Sequence, residues 1–199
     1  MKTVKRNELL DLGAYEQIRE RFRAAVIEEK KNRRFSVSDE LSIVFENHTT
    51  VLFQIQEMLR TERITREAAI QHEIDTYNEL IPAAGELSAT LFVEIADRDT
   101  RERRLVELAG LENSFALDVG GKIYPARNET RGVLPDRTTA VHYVKFPLDA
   151  DGVAATIAGG RGGGGPAPRL RVRHPHLEVT TPLPPAVARA VAEDLTEEA

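Results

Sequence analysis

The sequence predicts an α+β protein in which N-terminal helices pack on a mainly antiparallel C-terminal sheet. Apolar residues recur at helical spacing up to about residue 84, whereas two-residue alternation dominates from about 86 to 181. Two consecutive prolines then predict a last helix over about 184–195. With 199 residues the chain is long enough for one well-cored unit, so we expect residues 1–199 to form a single compact body.

The N-terminal part is predicted to hold three helices and one hairpin. Helical spacing of apolar residues predicts the first helix over 14–32, and the alternating segment FSVSDELSIVF that follows is typical of a hairpin. The central helix lies within 45–64, and the third begins at the N-cap Thr65 and ends at Pro82. The buried face of the central helix is predicted to be apolar: Val51, Leu52, Ile55, Met58 and Leu59.

The C-terminal part reads mainly as strands. The clearest strand is LSATLFVEI, whose alternation places Leu91 in the core, on the sheet face that helices are expected to cover. Asp99 is predicted to cap a helix that Gly110 ends. A hairpin turning at two glycines, a strand within AVHYVKFPL, a helix capped near Asp149 or Asp151 and two short strands within RLRVRHPHLEVTTPL complete the order.

A glycine-rich segment, GGRGGGGPAP, occupies residues 159–168. It formally contains G-x-G-x-x-G at Gly160, Gly162 and Gly165, but a dinucleotide-binding loop also needs a strand before it and a helix directly after it. Prolines follow instead, so we interpret the segment as a flexible linker and expect residues 159–165 to be mobile and dispensable.

Composition excludes several classes of function. A net charge of −5 and a pI near 5.6 argue against a general nucleic-acid-binding protein. The absence of cysteine excludes thiol catalysis, disulfides and cysteine-ligated zinc or iron–sulfur centres. Because no stretch resembles a signal peptide or a membrane span, we expect a cytoplasmic protein without a membrane or nucleic-acid partner.

Four stretches together carry a resemblance to a known family: FENHTTVLFQIQEMLRTERI, EIDTYNELIP, ELSATLFVEI and AVHYVKFPLD. In this order they resemble the bacterial family catalogued as domain of unknown function 3501, over nearly the whole chain. The family is uncharacterised, so the resemblance transfers no catalytic residue. It implies a role alongside rubrerythrin-like di-iron proteins and iron–sulfur oxidoreductases, in peroxide handling or redox maintenance.

One candidate interaction face lies on the central helix and consists of Gln56, Glu57, Arg60 and Arg63, spaced to share one side. Forked arginine contacts could hold an anionic ligand or a partner's carboxylate. The alternatives are a solvated intrahelical pair, or a buried ion pair that fixes the helix to its neighbours. We expect a structural role for Glu57 and an exposed, docking role for Arg63.

A candidate metal site consists of His142 and His174, brought together across neighbouring strands, with Glu178 as carboxylate ligand. Zinc and non-haem iron both accept such sets. A core position is the alternative for His142, which shares a strand face with apolar residues. The paired Glu-x-x-His helices of di-iron bundles, H-E-x-x-H, G-x-S-x-G and the Walker loop are absent from the sequence.

These observations favour a non-catalytic accessory or interaction protein of a redox system, without a cofactor and with a protein partner. The alternative is a metal- or small-anion-binding enzyme centred on His142, His174 and the arginines of the central helix, with zinc or non-haem iron as its cofactor. Homodimerisation stays open.

Overall fold

The computed structural model of the protein describes residues 1–128, 134–162 and 165–196. In these ranges the helices are α1 Leu12–Lys31, α2 His48–Thr61, α3 Glu67–Asn78, α4 Arg98–Glu107, α5 Ala150–Gly160 and α6 Pro185–Thr196. The strands are β1 Arg34–Ser36, β2 Leu41–Phe45, β3 Glu86–Val93, β4 Phe115–Val119, β5 Lys122–Pro125, β6 Arg127–Asn128, β7 Val141–Pro147, β8 Arg169–His174 and β9 Leu177–Pro182.

The predicted α+β class is confirmed, and the strands form two antiparallel sheets. Sheet A has the order β1-β2-β3-β7-β6, and sheet B has the order β5-β4-β8-β9. The predicted N-terminal hairpin is present as β1 and β2, and it joins the C-terminal strands because β2 pairs along β3 from Leu41 opposite Val93 to Phe45 opposite Ala89. The helical N-terminal part therefore contributes two strands to the sheet on which its helices pack.

The main hydrophobic core lies between the two sheets. From sheet A it receives the alternate residues of β3, including Leu87 and Leu91, and from sheet B it receives Leu117 and Leu170. Helices α4 and α6 add further apolar side chains, so these elements are held by burial of apolar surface. A second cluster joins α2, α3 and the N-terminal segment through Val4, Leu9, Val51, Ile55, Leu59, Ile70, Ile74 and Ile81.

The other face of sheet A, here called the outer face, is buried but polar in its centre. Ser42, Ser88 and Thr90 are each at most 3% exposed. They alternate with the core-facing residues of β2 and β3 and therefore point away from the main core. Alternation correctly predicted the core face of β3, but this face is covered by sheet B together with α4 and α6, whereas helices were expected to cover it. Alternation also gave no sign that the opposite face is covered.

Two helix caps differ from those predicted. Helix α3 begins after Arg66, whose side chain makes no capping hydrogen bond, so the assignment of Thr65 was wrong. Helix α4 is capped by Asp97, which accepts a hydrogen bond from the Thr100 amide, whereas Asp99 lies inside the first turn. An N-cap carboxylate accepts a hydrogen bond from the backbone amide three residues later in the chain. Asp97 stands three residues before Thr100 and can therefore make this bond.

The interpretation of residues 159–168 as a flexible linker throughout was wrong at its start. Gly159 and Gly160 form the last turn of α5. A Cβ at Gly160 would lie 2.2 Å from the Ala188 carbonyl oxygen of α6, so this glycine permits close contact of the two helices. The segment follows a helix and precedes strand β8, which is opposite to the context of a dinucleotide-binding loop. Residues 163 and 164 lie outside the described residues.

None of the helices in the described ranges is both long enough and apolar enough to cross a membrane.

We expect Leu91→Ala to lower the free energy of unfolding by about 2–5 kcal/mol, because the side chain is completely buried between the sheets. Urea denaturation followed by far-UV circular dichroism measures the change. Val141→Ala, at a half-exposed position of the same sheet, is the control and should shift the midpoint little. An unchanged midpoint for Leu91→Ala would contradict the described core.

We expect Gly160→Ala to destabilise the protein, although alanine is the better helix former by about 1 kcal/mol. The added methyl group would collide with the backbone of α6, and such overpacking costs about 1–3 kcal/mol. Gly165→Ala is the matched control, since its Cβ would have 3.9 Å to the nearest atom. Equal thermal midpoints for the two variants would show that α5 and α6 do not depend on this contact.

Candidate functional site

The predicted interaction face on α2 is largely occupied by contacts within the chain. Gln56 is 2% exposed. Its amide group accepts a hydrogen bond from the Leu10 backbone N–H at 3.0 Å and donates one to the Leu10 carbonyl oxygen at 3.0 Å. This side chain therefore fixes the N-terminal segment to α2, and a partner molecule cannot reach it.

Glu57 and Arg60 bind helix α1. The carboxylate of Glu57 accepts two hydrogen bonds from the Arg19 guanidinium, both at 2.8 Å, and one from the Tyr15 hydroxyl at 2.6 Å. These contacts, Arg19 first, hold the pKa of Glu57 below its ordinary value. Arg60 pairs with Glu16 at 2.7 Å in a more exposed position. Both side chains thus join α1 to α2.

Arg63 is the exposed member of the predicted face. It follows the end of α2 in a left-handed conformation, with φ of 52°, and makes no salt bridge with any described residue. The predicted interaction face is therefore divided. Three of its side chains hold the N-terminal part together, and the fourth, Arg63, faces solvent.

The predicted metal ligands do not meet. His142 lies in sheet A, with its Nε2 3.2 Å from the Thr138 hydroxyl oxygen, whereas His174 lies in sheet B and contacts the Ala109 carbonyl oxygen at 3.0 Å. Glu178 is exposed and pairs with Arg173. Among the described residues no group of three histidine, aspartate or glutamate side chains is placed to hold a metal ion. Strands β7 and β8 are not neighbours, which the sequence did not reveal.

A different site is present on the outer face of sheet A, in a cleft between α3 and β7 that we call the α3–β7 cleft. Its volume is about 600 Å³, which is the size of many small-molecule sites. The lining residues come from α3 and the turn after it, and from β3, β6 and β7: Glu73, Thr76, Tyr77, Glu79, Leu80, Ser88, Arg127, Asn128, Tyr143, Val144 and Lys145.

Strand register brings the sheet side of this cleft together. Lys145 on β7 lies opposite Ser88 on one side and Arg127 on the other, so the three form one row across sheet A. In the next row Tyr143 lies opposite Thr90. Because side chains two residues apart share a face, Tyr143 and Lys145 both project to the outer face.

Helix α3 supplies the opposite wall. Ile70 and Ile74 are buried in the second apolar cluster, and this packing orients the helix. Glu73 and Tyr77, one turn apart, are then carried toward the cleft. The same amphipathic helix therefore stabilises the N-terminal layer with one side and forms the cleft with another.

Several polar groups in the cleft make no hydrogen bond with the described residues. Asn128 Oδ1 is buried and has no hydrogen-bond partner among the described residues, and the hydroxyl of Ser88, a residue that is 3% exposed, makes no hydrogen bond with them either. The hydroxyl groups of Tyr77 and Tyr143 and the guanidinium of Arg127 are likewise unbonded within those ranges, unlike the hydroxyls of Tyr15 and Tyr124, which donate to carboxylates. Buried polar groups are nearly always hydrogen-bonded, so an unbonded one that lines a cleft indicates a ligand position.

The two tyrosines of the cleft remain protonated at neutral pH. Burial raises the pKa of Tyr143, and the nearby carboxylate of Glu46 raises it further. Burial, followed by the electrostatic influence of Tyr143 and Glu73, raises the pKa of Tyr77. Both phenols therefore act as hydrogen-bond donors and as planar apolar walls.

Beside the cleft, a buried carboxylate organises the outer face. Glu46 is 3% exposed and accepts hydrogen bonds from Thr50 at 2.5 Å, Thr90 at 2.6 Å and Gln54 at 3.1 Å. Thr50 and Gln54 belong to α2, whereas Thr90 belongs to β3. The network joins the helix to the sheet in the row that also contains Tyr143.

The residues of the cleft were not predicted as a site. Apart from Arg127 and Asn128, they lie in three of the four stretches that carry the family resemblance, EIDTYNELIP, ELSATLFVEI and AVHYVKFPLD. Those stretches could have indicated the region. Their convergence, however, depends on the pairing of β3 with β7 and on the placement of α3.

Fold and cleft together define an α+β protein with two antiparallel sheets and a ligand-sized cleft on the outer face of sheet A. The chain belongs to the family described as "Protein of unknown function (DUF3501)", whose model matches residues 3–195. A crystal structure of a novel protein of unknown function from Burkholderia pseudomallei K96243 is similar, with 33% sequence identity and a TM-score of 0.89. The similarity covers 98% of this chain and 100% of that one. No curated protein matches the chain.

We expect Glu57→Gln to cost about 1–3 kcal/mol of stability, because it weakens hydrogen bonds to a charged, partly buried carboxylate. Arg60→Met removes a more exposed pair and should cost less than about 1 kcal/mol. Urea denaturation of both variants near neutral pH measures the difference.

The contribution of Glu57 to the free energy of unfolding also depends on pH in a defined direction. Since the folded-state pKa is lowered, the contribution is complete above the ordinary glutamate value of 4.5 and is lost as the pH falls through the lowered pKa. The stability difference between wild type and Glu57→Gln should therefore shrink in acid. A difference that persists unchanged in acid would show that the charge of Glu57 is not what stabilises α1 against α2.

Proposed function

We propose that this protein is a non-catalytic binding protein that uses the α3–β7 cleft to hold a small organic molecule. The observation that supports this proposal is the buried Oδ1 of Asn128, which lines the cleft without a hydrogen-bond partner among the described residues. A bound molecule would supply that partner, and Tyr77 and Tyr143 would flank its apolar part.

Binding is favoured over catalysis by the state of the side chains in the cleft. A serine nucleophile needs a base within hydrogen-bond reach, and Ser88 makes no such contact with the described chain. The raised pKa values of Tyr77 and Tyr143 keep both phenols protonated near neutral pH, so neither is available there as a phenolate base. The cleft therefore offers hydrogen-bond donors, acceptors and apolar walls that suit recognition of a molecule.

We further propose that the protein acts as an accessory component of a cytoplasmic redox or peroxide-stress system, alongside rubrerythrin-like and iron–sulfur proteins. The family resemblance supports this role, and a chain without cysteine would not be altered by thiol oxidation. In such a role the cleft takes the small molecule, and the exposed corner at Arg63 contacts the protein partner.

The alternative is a metal- or small-anion-binding enzyme near His142 and His174. In its metal-binding form this alternative requires a bound metal ion, and metal analysis of the purified protein tests for one. Stoichiometric zinc or iron would favour the enzyme and count against the binding protein. Since His142 and His174 lie in different sheets, His142→Ala and His174→Ala would then show which of the two histidines lies at the metal.

We expect the wild-type protein to retain a small molecule from a mixture of cellular metabolites, and Tyr77→Ala/Tyr143→Ala to lose it. The double variant removes both flanking walls of the cleft. Affinity selection followed by mass spectrometry of the released molecules measures the retention.

Val141→Ala is the matched control for this experiment. Val141 lies on the same strand and face as Tyr143 but outside the lining of the cleft, and it is 38% exposed. The control should retain the same molecule as the wild type. Retention by the double variant, or no retained molecule at all, would contradict the proposed function.

A further inference from the structure

The α3–β7 cleft carries opposite charges on its two walls. Glu73 stands on the α3 wall and Arg127 on the β6 wall, and both line the cleft. Neither side chain forms a salt bridge with any described residue. Elsewhere in the protein acidic and basic side chains that approach each other do pair, as Arg104 and Glu40 do at 2.6 Å. Both charges therefore line the cleft without a salt-bridge partner among the described residues.

The second cation of the cleft is already engaged. Lys145 lies 3.1 Å from the carboxylate of Glu86, and its ammonium group also approaches the Ile81 carbonyl oxygen at 3.4 Å. Among the described residues that line the cleft, Arg127 is thus the cation available to a ligand. Its planar guanidinium can donate two parallel hydrogen bonds, which suits a carboxylate.

Two aromatic rings line the cleft. Tyr143 contributes to the electrostatic environment of Tyr77, and Leu80 adds an apolar side chain on the α3 side. Tyrosine rings bind the body of an apolar side chain and also attract a nearby ammonium group through their faces. The buried Ser88 hydroxyl adds a donor on the sheet side, in the same row as Arg127.

We infer that the ligand of the α3–β7 cleft is a zwitterion of the amino-acid type with an aromatic or large apolar side chain. Its carboxylate binds Arg127 and Ser88, its ammonium group binds Glu73, and its side chain lies between Tyr77 and Tyr143. This inference rests on the proposed function, since it names the chemical class that the binding protein holds.

Three probes with the same ring test the charge pattern: L-phenylalanine, 3-phenylpropanoate, which lacks the ammonium group, and 2-phenylethylamine, which lacks the carboxylate. Isothermal titration calorimetry of the full chain at low salt near neutral pH measures their dissociation constants. We expect L-phenylalanine to bind about tenfold tighter than either of the others, because each lost charged hydrogen bond is worth an effect of that order.

Two variants test which wall of the cleft binds each charged group of the ligand. Glu73→Gln should weaken L-phenylalanine binding to the level of 3-phenylpropanoate and leave 3-phenylpropanoate unaffected. Arg127→Gln should weaken L-phenylalanine and 3-phenylpropanoate and leave 2-phenylethylamine unaffected. Arg161→Gln changes a charge outside the cleft and should alter none of the three constants. Thermal melting of each variant establishes that it is folded.

The outcomes separate this inference from the proposed function. Equal affinity for L-phenylalanine and 3-phenylpropanoate, or constants unchanged by both Glu73→Gln and Arg127→Gln, would overturn the zwitterion and leave a binding protein. No binding of any probe, together with a cleft-dependent metabolite in the affinity selection, would also overturn the zwitterion alone. No probe binding and no retained metabolite would reject both.

Discussion

Burial of sheet A on both faces is the constraint on which the rest of the structure depends. The inner face contributes apolar side chains to the core shared with sheet B, and the outer face carries the buried hydroxyl groups of Ser42, Ser88 and Thr90. An apolar face needs only close packing, whereas a buried polar face needs hydrogen-bond partners. Helix α2 meets part of that requirement through Thr50. The carboxylate of Glu46, which precedes the helix, accepts hydrogen bonds from both Thr50 and Thr90.

The N-terminal layer covers the outer face incompletely. Helix α2 is held by α1 through the contacts of Glu57 and by the N-terminal segment through Gln56. Helix α3 packs against α2 and the N-terminal segment in the second apolar cluster, so its other side is free to form a wall of the cleft. The position of the cleft thus follows from how α3 is anchored, and Ser88 is the buried hydroxyl of the outer face that lines it.

Much of the local structure was predictable because it depends on neighbours in the sequence. The β4–β5 hairpin turns at two glycines with φ of 61° and 87°, and Asp149 caps α5 through the Gly152 amide. These features need only a few consecutive residues of suitable chemistry. The caps of α3 and α4 were misassigned because local chemistry does not fix where a helix starts: α4 is capped by Asp97 rather than Asp99, and α3 begins after Arg66 without a side-chain cap.

The sequence by itself determined the class of fold, the order of the elements, the core position of Leu91 and the absence of cysteine chemistry. Tertiary structure alone decided that Gln56 and Glu57 hold the N-terminal layer, that His142 and His174 lie in different sheets, and that Gly160 packs against α6. It also decided that Tyr77, Ser88 and Tyr143 meet in one cleft. The physical reason is that periodicity shows which side of an element is buried, whereas strand pairing and helix placement show what lies opposite that side.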